Sequence, residues 1–257
     1  MVSADLARNV VGIVGNVISL FLFLSPVPTF VQIWKKGSVE QYSPVPYLAT
    51  LINCMVWVLY GLPMVHPNSI LVITINGTGT AIELVYISLF LYYSDKKKRL
   101  RVLAIVAAEF LIIGFLAALV LTQSHDTKSR STIVGIVAIC FNIMMYAAPL
   151  SVMKLVLSTK SVEYMPLSIS VASLANGVAW SLYALIKLDP YILGPNGMGT
   201  MLSVAQLILY AVFYKSTKRK IAEREGKAGQ VGLSQVVVHG DAKPYPGNGP
   251  HQSGSTK

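Results

Sequence analysis

The stretch Val11-Gly12-Ile13-Val14 recurs as Val134-Gly135-Ile136-Val137, 123 residues further along the chain. Further identities follow in the same order, at an offset of 123 or 120: Pro26 and Pro149, Ser38-Val39-Glu40 and Ser161-Val162-Glu163, Pro46 and Pro166, Asn53 and Asn176, Trp57 and Trp180, Leu59-Tyr60 and Leu182-Tyr183, Asn76-Gly77 and Asn196-Gly197. Shared apolar composition alone does not produce so many identities in a fixed order. The chain therefore contains an internal duplication.

The residues around these repeated segments are apolar enough to lie in lipid. The chain has 257 residues, of which 54% are hydrophobic and 12% are charged, against roughly 25% charged residues in a soluble domain. Apolar runs of about 20 residues, the length that crosses a bilayer, occur at 10–32, 45–63, 70–93, 102–121, 132–153, 166–186 and 191–213. The sequence therefore predicts an all-α integral membrane protein of seven transmembrane helices.

Each repeat accounts for three of these helices, and the span at 102–121 has no counterpart. Because three is an odd number, the second repeat would insert upside down unless one extra helix preceded it. We therefore expect a first triple-helix repeat at 8–95, a linker helix at 100–123 and a second, parallel triple-helix repeat at 130–214. The polar stretch 215–257 is rich in glycine and proline, and we predict a disordered cytoplasmic tail there.

The distribution of Lys and Arg predicts the orientation in the membrane. With the N-terminus outside, 17 of the 21 basic residues lie on the cytoplasmic side and four lie outside. This bias favours an outer N-terminus and a cytoplasmic C-terminus, with the plasma membrane as the expected location. The net charge of +10 is then a topology signal beside anionic lipid, and no nucleic-acid partner is expected.

Four segments resemble the SWEET sugar transporters of plants: Leu24-Ser25-Pro26-Val27-Pro28-Thr29-Phe30, Thr74-Ile75-Asn76-Gly77-Thr78-Gly79, Lys160-Ser161-Val162-Glu163-Tyr164-Met165-Pro166 and Pro195-Asn196-Gly197. The resemblance covers about residues 8–215. It implies bidirectional, gradient-driven movement of a sugar by alternating access, commonly in homotrimers. Parallel repeats related by an axis along the membrane normal are a known feature of this family.

Two asparagines, Asn76 and Asn196, each precede a glycine deep inside the third and seventh spans. An amide without partners in lipid costs several kcal/mol, so each must face a cavity or bond the backbone of a tightly packed helix. Their matched placement in the two repeats favours a shared cavity. The resemblance assigns this pair to sugar hydroxyls, and a carboxamide, like a hydroxyl, both donates and accepts hydrogen bonds.

Trp57 and Trp180 form a second matched pair, in spans two and six. Tryptophan near a membrane surface is often a lipid anchor. Asn53 and Asn176, however, lie four residues earlier, on the same helical faces. A face that carries Asn and Trp one turn apart is typical of a polar cavity wall, where an indole can lie against the C–H face of a sugar ring.

Side-chain size bears on which sugar is carried. Sucrose carriers of the family tend to have small residues at four positions, occupied in this chain by Leu22, Asn53, Met144 and Asn176. All four residues are larger here. The resemblance and the volumes together predict a narrower chamber, which admits a hexose more easily than a disaccharide.

Four prolines, Pro26, Pro46, Pro149 and Pro166, occupy matched positions near the cytoplasmic side of spans one, two, five and six. Each removes a backbone donor and is expected to weaken its helix locally. A single proline is often a static kink. Two matched pairs favour a symmetric inner hinge, in agreement with the resemblance.

On the outer side, Tyr60 and Tyr183 end their helices, and Asp189 precedes a proline. The resemblance suggests an outer gate, in which a Tyr–Asp contact closes this mouth. The alternative is an ordinary belt of interfacial tyrosines.

Proton coupling would need a titratable group inside the membrane. Glu83 and Glu109 are the only intramembrane carboxylates, and neither has a partner in the other repeat. We therefore expect facilitated diffusion without proton coupling, with Glu83 as a structural hydrogen-bonding residue. No cluster suggests catalysis, a metal site or a cofactor, so no enzyme activity is expected.

Alternatives remain open on the same scaffold. The cargo could be sucrose or another small polar solute. The related amino-acid carriers of the PQ-loop group should show a Pro-Gln pair, which is lacking here. A seven-helix receptor is a further alternative, although most loops are shorter than about twelve residues.

Overall fold

Nine helices make up the part of the chain that the computed structural model describes, residues 3–39 and 42–240, with side chains described as far as Gly226. In chain order they are α1 (Ala4–Leu24), α2 (Val27–Lys36), α3 (Val45–Gly61), α4 (Ile70–Tyr93), α5 (Lys96–Gln123), α6 (Thr127–Met145), α7 (Ala147–Thr159), α8 (Leu167–Lys187) and α9 (Pro190–Gly240). The pairs α1–α2 and α6–α7 each form one broken span, so the nine helices make seven spans.

The predicted all-α fold with seven spans is confirmed. Six stretches are long and apolar enough to cross a membrane, and the 17-residue helix α3 is the shorter seventh. The predicted bounds of 70–93 coincide with α4. The first and fifth spans are longer than the predicted 10–32 and 132–153, and extend over Ala4–Lys36 and Thr127–Thr159.

The two repeats contact each other through two equivalent pairs of helices. Helix α1 contacts α8, and its counterpart α6 contacts α3, which is the counterpart of α8. These two contacts are related by the duplication and enclose a space between the repeats. Helix α5, which has no counterpart, packs against α3 and α6 on the outside of this arrangement.

Seven spans place the loops on two opposite faces. The N-face carries the start of α1 and the segments 62–69, 124–126 and 188–189. The C-face carries the segments 37–39, 42–44, 94–95 and 160–166. On the N-face the Arg8 guanidinium donates to the Asn68 carbonyl at 2.6 Å, and the Ser131 hydroxyl donates to the Val65 carbonyl at 2.6 Å. Side chains thus tie the loops of this face together.

Local sequence signals explain where several helices begin and end. Ser3, Asp95 and Asp126 precede α1, α5 and α6, and each side chain accepts a backbone N–H of the first turn. Such caps satisfy donors that have no partner within the helix. Gly37 ends α2 in the left-handed conformation, with φ of 66°, which glycine adopts without steric cost.

The four prolines fall into two structural classes. Pro26 lies in the break between α1 and α2, and Pro149 lies three residues after the break at Tyr146. Pro46 and Pro166, by contrast, lie at the starts of α3 and α8. A proline at a helix start removes no hydrogen bond, so what distinguishes Pro26 and Pro149 is that they lie at or just after a break inside a span.

The last helix extends beyond residue 215, where the predicted tail begins. Helix α9 continues to Gly240. Its extension is rich in Lys, Arg, Glu and Ala, which are strong helix formers, and it contacts the loop between α7 and α8. The Arg224 guanidinium lies 2.7 Å from the Glu163 carboxylate, and the Thr217 hydroxyl accepts the Val162 N–H at 2.8 Å. The remainder of the predicted tail, 241–257, lies outside the described residues.

Candidate functional site

A central chamber of about 170 Å³ lies between the repeats. It is lined by six of the eight residues that the sequence predicted for substrate binding: Asn76, Asn196, Trp57, Trp180, Asn53 and Asn176. Within the described part of the chain, no charged side chain lines it. The chamber is therefore neutral, and amides and indoles dominate its wall.

Asn76 and Asn196 face the same chamber with the same local geometry. The Asn76 amide N–H donates to the Val72 carbonyl at 2.9 Å, and the Asn196 amide N–H donates to the Ile192 carbonyl at 2.8 Å. Each asparagine therefore both bonds the backbone of its own helix and faces the cavity, which the sequence analysis treated as alternatives. Each carboxamide keeps its carbonyl oxygen and its second N–H available on the chamber side.

The two tryptophans are buried, at 6% and 7% exposure, so they are not lipid anchors. Trp57 Nε1–H donates to Asn142 Oδ1 at 3.0 Å, and Trp180 Nε1–H donates to the Ser19 hydroxyl at 3.1 Å. Gly15 lies against the Trp180 ring, where a side chain would leave only 3.1 Å. These contacts fix the planes of both indoles at the wall of the chamber.

Sequence reasoning missed Ser19 and Asn142. The offset of 123 relates them, so they are equivalent positions that hold equivalent tryptophans. Identity between the two repeats does not indicate them, because one is a serine and the other an asparagine. The signal that would have indicated them is a polar residue at equivalent positions inside two spans.

Asn53 and Asn176 are equivalent in sequence but differ in their contacts. Asn176 Oδ1 accepts the Ser19 hydroxyl at 2.5 Å. Asn53 Oδ1 is buried and has no hydrogen-bond partner in the described part of the chain. The residue equivalent to Ser19 is Asn142, whose carbonyl oxygen accepts the Trp57 Nε1–H.

Leu22 and Met144, the other two residues predicted for substrate binding, lie in different surroundings. Leu22 lines the cavity that continues from the chamber. Met144 is 68% exposed and lines neither the chamber nor that cavity. Its neighbour Met145 lines the cavity instead. The offset of 123 relates Leu22 to Met145, and successive helical residues point about 100° apart, so the two neighbouring methionines face different sides of the helix.

The continuing cavity, of about 560 Å³, extends from the chamber to the C-face. Tyr164 and Met165 of the loop between α7 and α8 line it, together with the hinge candidates Pro149 and Pro166. The other two hinge candidates, Pro26 and Pro46, line neither cavity.

The chamber is closed toward the N-face by a contact between Tyr60 and Asp189. The Tyr60 hydroxyl donates to the carboxylate, at 2.9 and 3.0 Å from its two oxygens, and both side chains are buried. Asp189 Oδ1 also accepts the N–H groups of Tyr191 and Ile192 at the start of α9. The burial of Tyr60 and Tyr183 excludes the interfacial belt for these two tyrosines.

Two side chains that the sequence did not single out complete this closure. The His66 ring stacks on Tyr60 with centroids 4.7 Å apart, and its Nε2 lies 3.6 Å from Asp189 Oδ2. Burial lowers the pKa of His66 below its usual 6.5, against the opposing effect of the Asp189 carboxylate. Arg8 lies over the Tyr183 ring, 4.0 Å from its centroid, and this position suits a cation–π interaction.

The two intramembrane carboxylates lie away from the chamber. Glu83 and Glu109 are buried and line neither cavity. Each has an oxygen, Oε2, without a hydrogen-bond partner in the described part of the chain. The structure therefore does not show the hydrogen-bonding role expected of Glu83.

Comparisons with known proteins match both repeats. The family described as "Sugar efflux transporter for intercellular exchange" matches residues 9–98 and 132–218. "Bidirectional sugar transporter SWEET4" of Oryza sativa subsp. japonica is 61% identical over 250 residues, 97% of this chain and 96% of that protein. "Bidirectional sugar transporter SWEET7" of Arabidopsis thaliana is 59% identical over 235 residues, 91% of each. A solved structure of a eukaryotic SWEET transporter matches with a TM-score of 0.80 and 36% identity, over 82% of this chain and 99% of that one.

Proposed function

Because the chain belongs to the SWEET family of sugar transporters, we propose that it is a bidirectional uniporter that moves glucose-like hexoses down their gradient by alternating access. Membership makes it a multi-pass membrane transporter and not an enzyme. The proposal concerns which sugar is carried, how the protein moves, and which residues hold the sugar.

One observation supports the proposal above all others: Asn76 and Asn196, from equivalent positions in the two repeats, line a single neutral chamber with both indoles. The amides offer donors and acceptors to sugar hydroxyls, and the indole faces suit the C–H faces of a pyranose ring. The absence of charge from the lining disfavours anionic and cationic cargo in that chamber.

Binding in such a site is expected to be weak. A net hydrogen bond contributes about 1 kcal/mol, and a neutral site without charged partners lacks the stronger, charge-assisted bonds. Weak binding lets the sugar leave on either side of the membrane, as bidirectional transport requires.

The closed N-face and the cavity toward the C-face correspond to one end state of an alternating-access cycle. In our proposal the N-face is extracellular, the C-face is cytoplasmic, and the host is the plasma membrane. The opposite end state would break the Tyr60–Asp189 contact and close the C-face mouth around the loop of Tyr164. The chain would work as a homo-oligomer, with a trimer expected from the family.

Preference for a hexose rests on the size of the chamber. Its volume of about 170 Å³ is small beside the roughly 300–1,000 Å³ of sites for drug-sized ligands, and Leu22, Asn53 and Asn176 are bulky for their positions. Uniport without proton coupling rests on Glu83 and Glu109, which lie outside both cavities.

Uptake of labelled glucose by liposomes that contain the purified protein tests the proposal. We expect saturable uptake down the gradient, little uptake of sucrose, and no acceleration by an imposed proton gradient. Asn76→Ala and Asn196→Ala should each abolish uptake at unchanged protein content, while the outward-facing Met144→Ala should not. Uptake at the wild-type rate by both asparagine variants would refute the site, and proton-driven accumulation would refute uniport.

A further inference from the structure

The two repeats differ in how their C-face halves are packed. In the first repeat the Phe23 ring lies so close to Gly79 that a Cβ there would be 2.5 Å from it. Tyr86 stacks on Phe30 with centroids 4.4 Å apart, and its hydroxyl donates to the Phe23 carbonyl at 3.0 Å. Aromatic rings therefore fill this part of the first repeat.

The matched part of the second repeat is open. The residues equivalent to Phe23, Gly79 and Tyr86 are Tyr146, Gly199 and Gln206. A Cβ on Gly199 would lie 3.6 Å from the Tyr146 hydroxyl oxygen, and no ring occupies position 206. The missing aromatic packing leaves the cavity of about 560 Å³, which is lined almost entirely by second-repeat residues.

Two polar side chains in this cavity have no hydrogen-bond partner in the described part of the chain, the Ser173 hydroxyl and the Gln206 carboxamide. The nearby hydroxyls of Ser170 and Ser203 are instead bonded to carbonyls of their own helices. Both side chains are partly exposed, so their polar atoms are accessible from the cavity to water or to the hydroxyl groups of a ligand. No charged side chain of the described residues lines the cavity, which favours a neutral ligand.

The chamber and the cavity are continuous, since Asn53, Asn142, Asn176 and Asn196 line both. The chamber alone, at about 170 Å³, leaves little room for a hydrated ligand, whereas the cavity lies within the roughly 300–1,000 Å³ of small-molecule sites. A sugar that passes from the chamber toward the C-face must cross this polar space.

We infer that the cavity inside the second repeat is a second binding station for a neutral, polyhydroxylated ligand, with Gln206 and Ser173 as its free hydrogen-bonding groups. The inference rests on the proposed transport of a sugar through the central chamber. It makes the pathway asymmetric, because a sugar arriving from the C-face meets the station before the chamber, and the first repeat has no equivalent space.

Initial rates of glucose entry and exit in oocytes test the station, with an epitope tag at the C-terminus to report on which side the C-face lies. We expect Gln206→Leu to raise the KM measured with sugar on the C-face about five-fold, the weight of one net hydrogen bond. The KM measured from the N-face should change less than two-fold. Ser173→Ala should raise the same KM by a smaller factor. Gln206→Asn keeps a carboxamide and should raise this KM less than Gln206→Leu does.

Gln206→Tyr places the first-repeat residue in the cavity and should reduce transport further. Tyr86→Phe is the matched control in the first repeat, and we expect it to leave the ratio of the two KM values, measured from the C-face and from the N-face, unchanged. Should Gln206→Tyr fail to reach the membrane, the smaller variants Gln206→Leu and Ser173→Ala decide the question.

Unchanged KM values in both directions for Gln206→Leu and Ser173→Ala would overturn the station, as would an equal change from both faces. If those variants behave as wild type while Asn76→Ala abolishes transport, the station is wrong and the central chamber stands. If the wild-type protein carries no glucose, the proposed function itself fails.

Discussion

At the scale of single residues, the duplication decides which side chains meet. Leu22 and Met145 are related by the offset of 123 and line the same cavity, whereas Met144 faces outward. The six residues that line the chamber as predicted form three identical pairs, so identity between the repeats was enough to find them. Ser19 and Asn142 are equivalent positions with different residues, so identity between the repeats does not indicate them. Their hydrogen bonds with the indoles are visible only in the structure.

The adjacent methionines allow a matched test of selectivity. Met145→Ala removes a long side chain from the cavity wall, so we expect the ratio of sucrose to glucose uptake to rise several-fold. Met144→Ala removes the same atoms from an outward-facing position and should leave the ratio unchanged. Uptake of the two labelled sugars by the same liposome preparations provides the measurement. A larger rise for Met144→Ala than for Met145→Ala would contradict the placement of these side chains.

At the scale of helices, the apolar runs of the sequence predicted the number and approximate bounds of the spans. Local contacts and the positions of the prolines explain where the helices differ from those bounds. The bounds of α4 followed from its apolar run alone. The extension of α9 did not, because its polar sequence resembles a tail until contacts such as Arg224 with Glu163 give it a partner. The proline pairs look alike in sequence, yet only Pro26 and Pro149 lie at or near helix breaks.

The break at Pro26 allows a prediction about helix stiffness. The Leu22 carbonyl, which an N–H at position 26 would reach in a continuous helix, accepts the Ser25 hydroxyl at 2.7 Å. Pro26→Ala should let α1 continue into α2, raise the melting temperature and slow transport, because a break in the span is lost. Pro46→Ala adds no helical hydrogen bond and should leave the melting temperature unchanged.

Melting of the purified variants in detergent, followed by circular dichroism, compares these two changes. A lower melting temperature for Pro26→Ala, or an equal rise for Pro46→Ala, would show that the break at Pro26 is not the source of local weakness.

At the scale of the whole molecule, closure of the N-face joins α1, the loop between α3 and α4, and the loop between α8 and α9. Arg8, His66 and Asp189 come from these three segments, and no pattern in the sequence connects them. The sequence suggested the Tyr60–Asp189 contact only through the family resemblance. The fold brings the remaining partners together, which is why Arg8 and His66 were missed.

Acidification should weaken the closed N-face. Because burial lowers the pKa of His66, the closed state binds fewer protons than a state with a hydrated His66. The contribution of neutral His66 to closure is therefore complete above about pH 6.5 and is lost as pH falls toward the lowered pKa. The Asp189 carboxylate favours protonation of His66, and the Arg8 guanidinium opposes it. Burial lowers the pKa of His66 by more than the carboxylate raises it.

Thiol labelling of a single cysteine, Val72→Cys in a background without Cys54 and Cys140, measures this opening from the N-face. Because the thiolate is the species that reacts, each labelling rate is divided by the rate of the same reagent with a free thiol at the same pH. This normalised rate should rise between about pH 7.5 and pH 5.5, and His66→Gln should remove most of the rise. A rate that is independent of pH in the parent, or a dependence that survives in His66→Gln, would contradict the assignment.

Equilibrium binding of labelled glucose to the purified protein tests the central claim most directly, that one chamber between the repeats holds the sugar through a matched pair of amides. We expect saturable binding to the wild type and to Met144→Ala, and at least a ten-fold weaker affinity in both Asn76→Ala and Asn196→Ala. Wild-type affinity in both asparagine variants would contradict it.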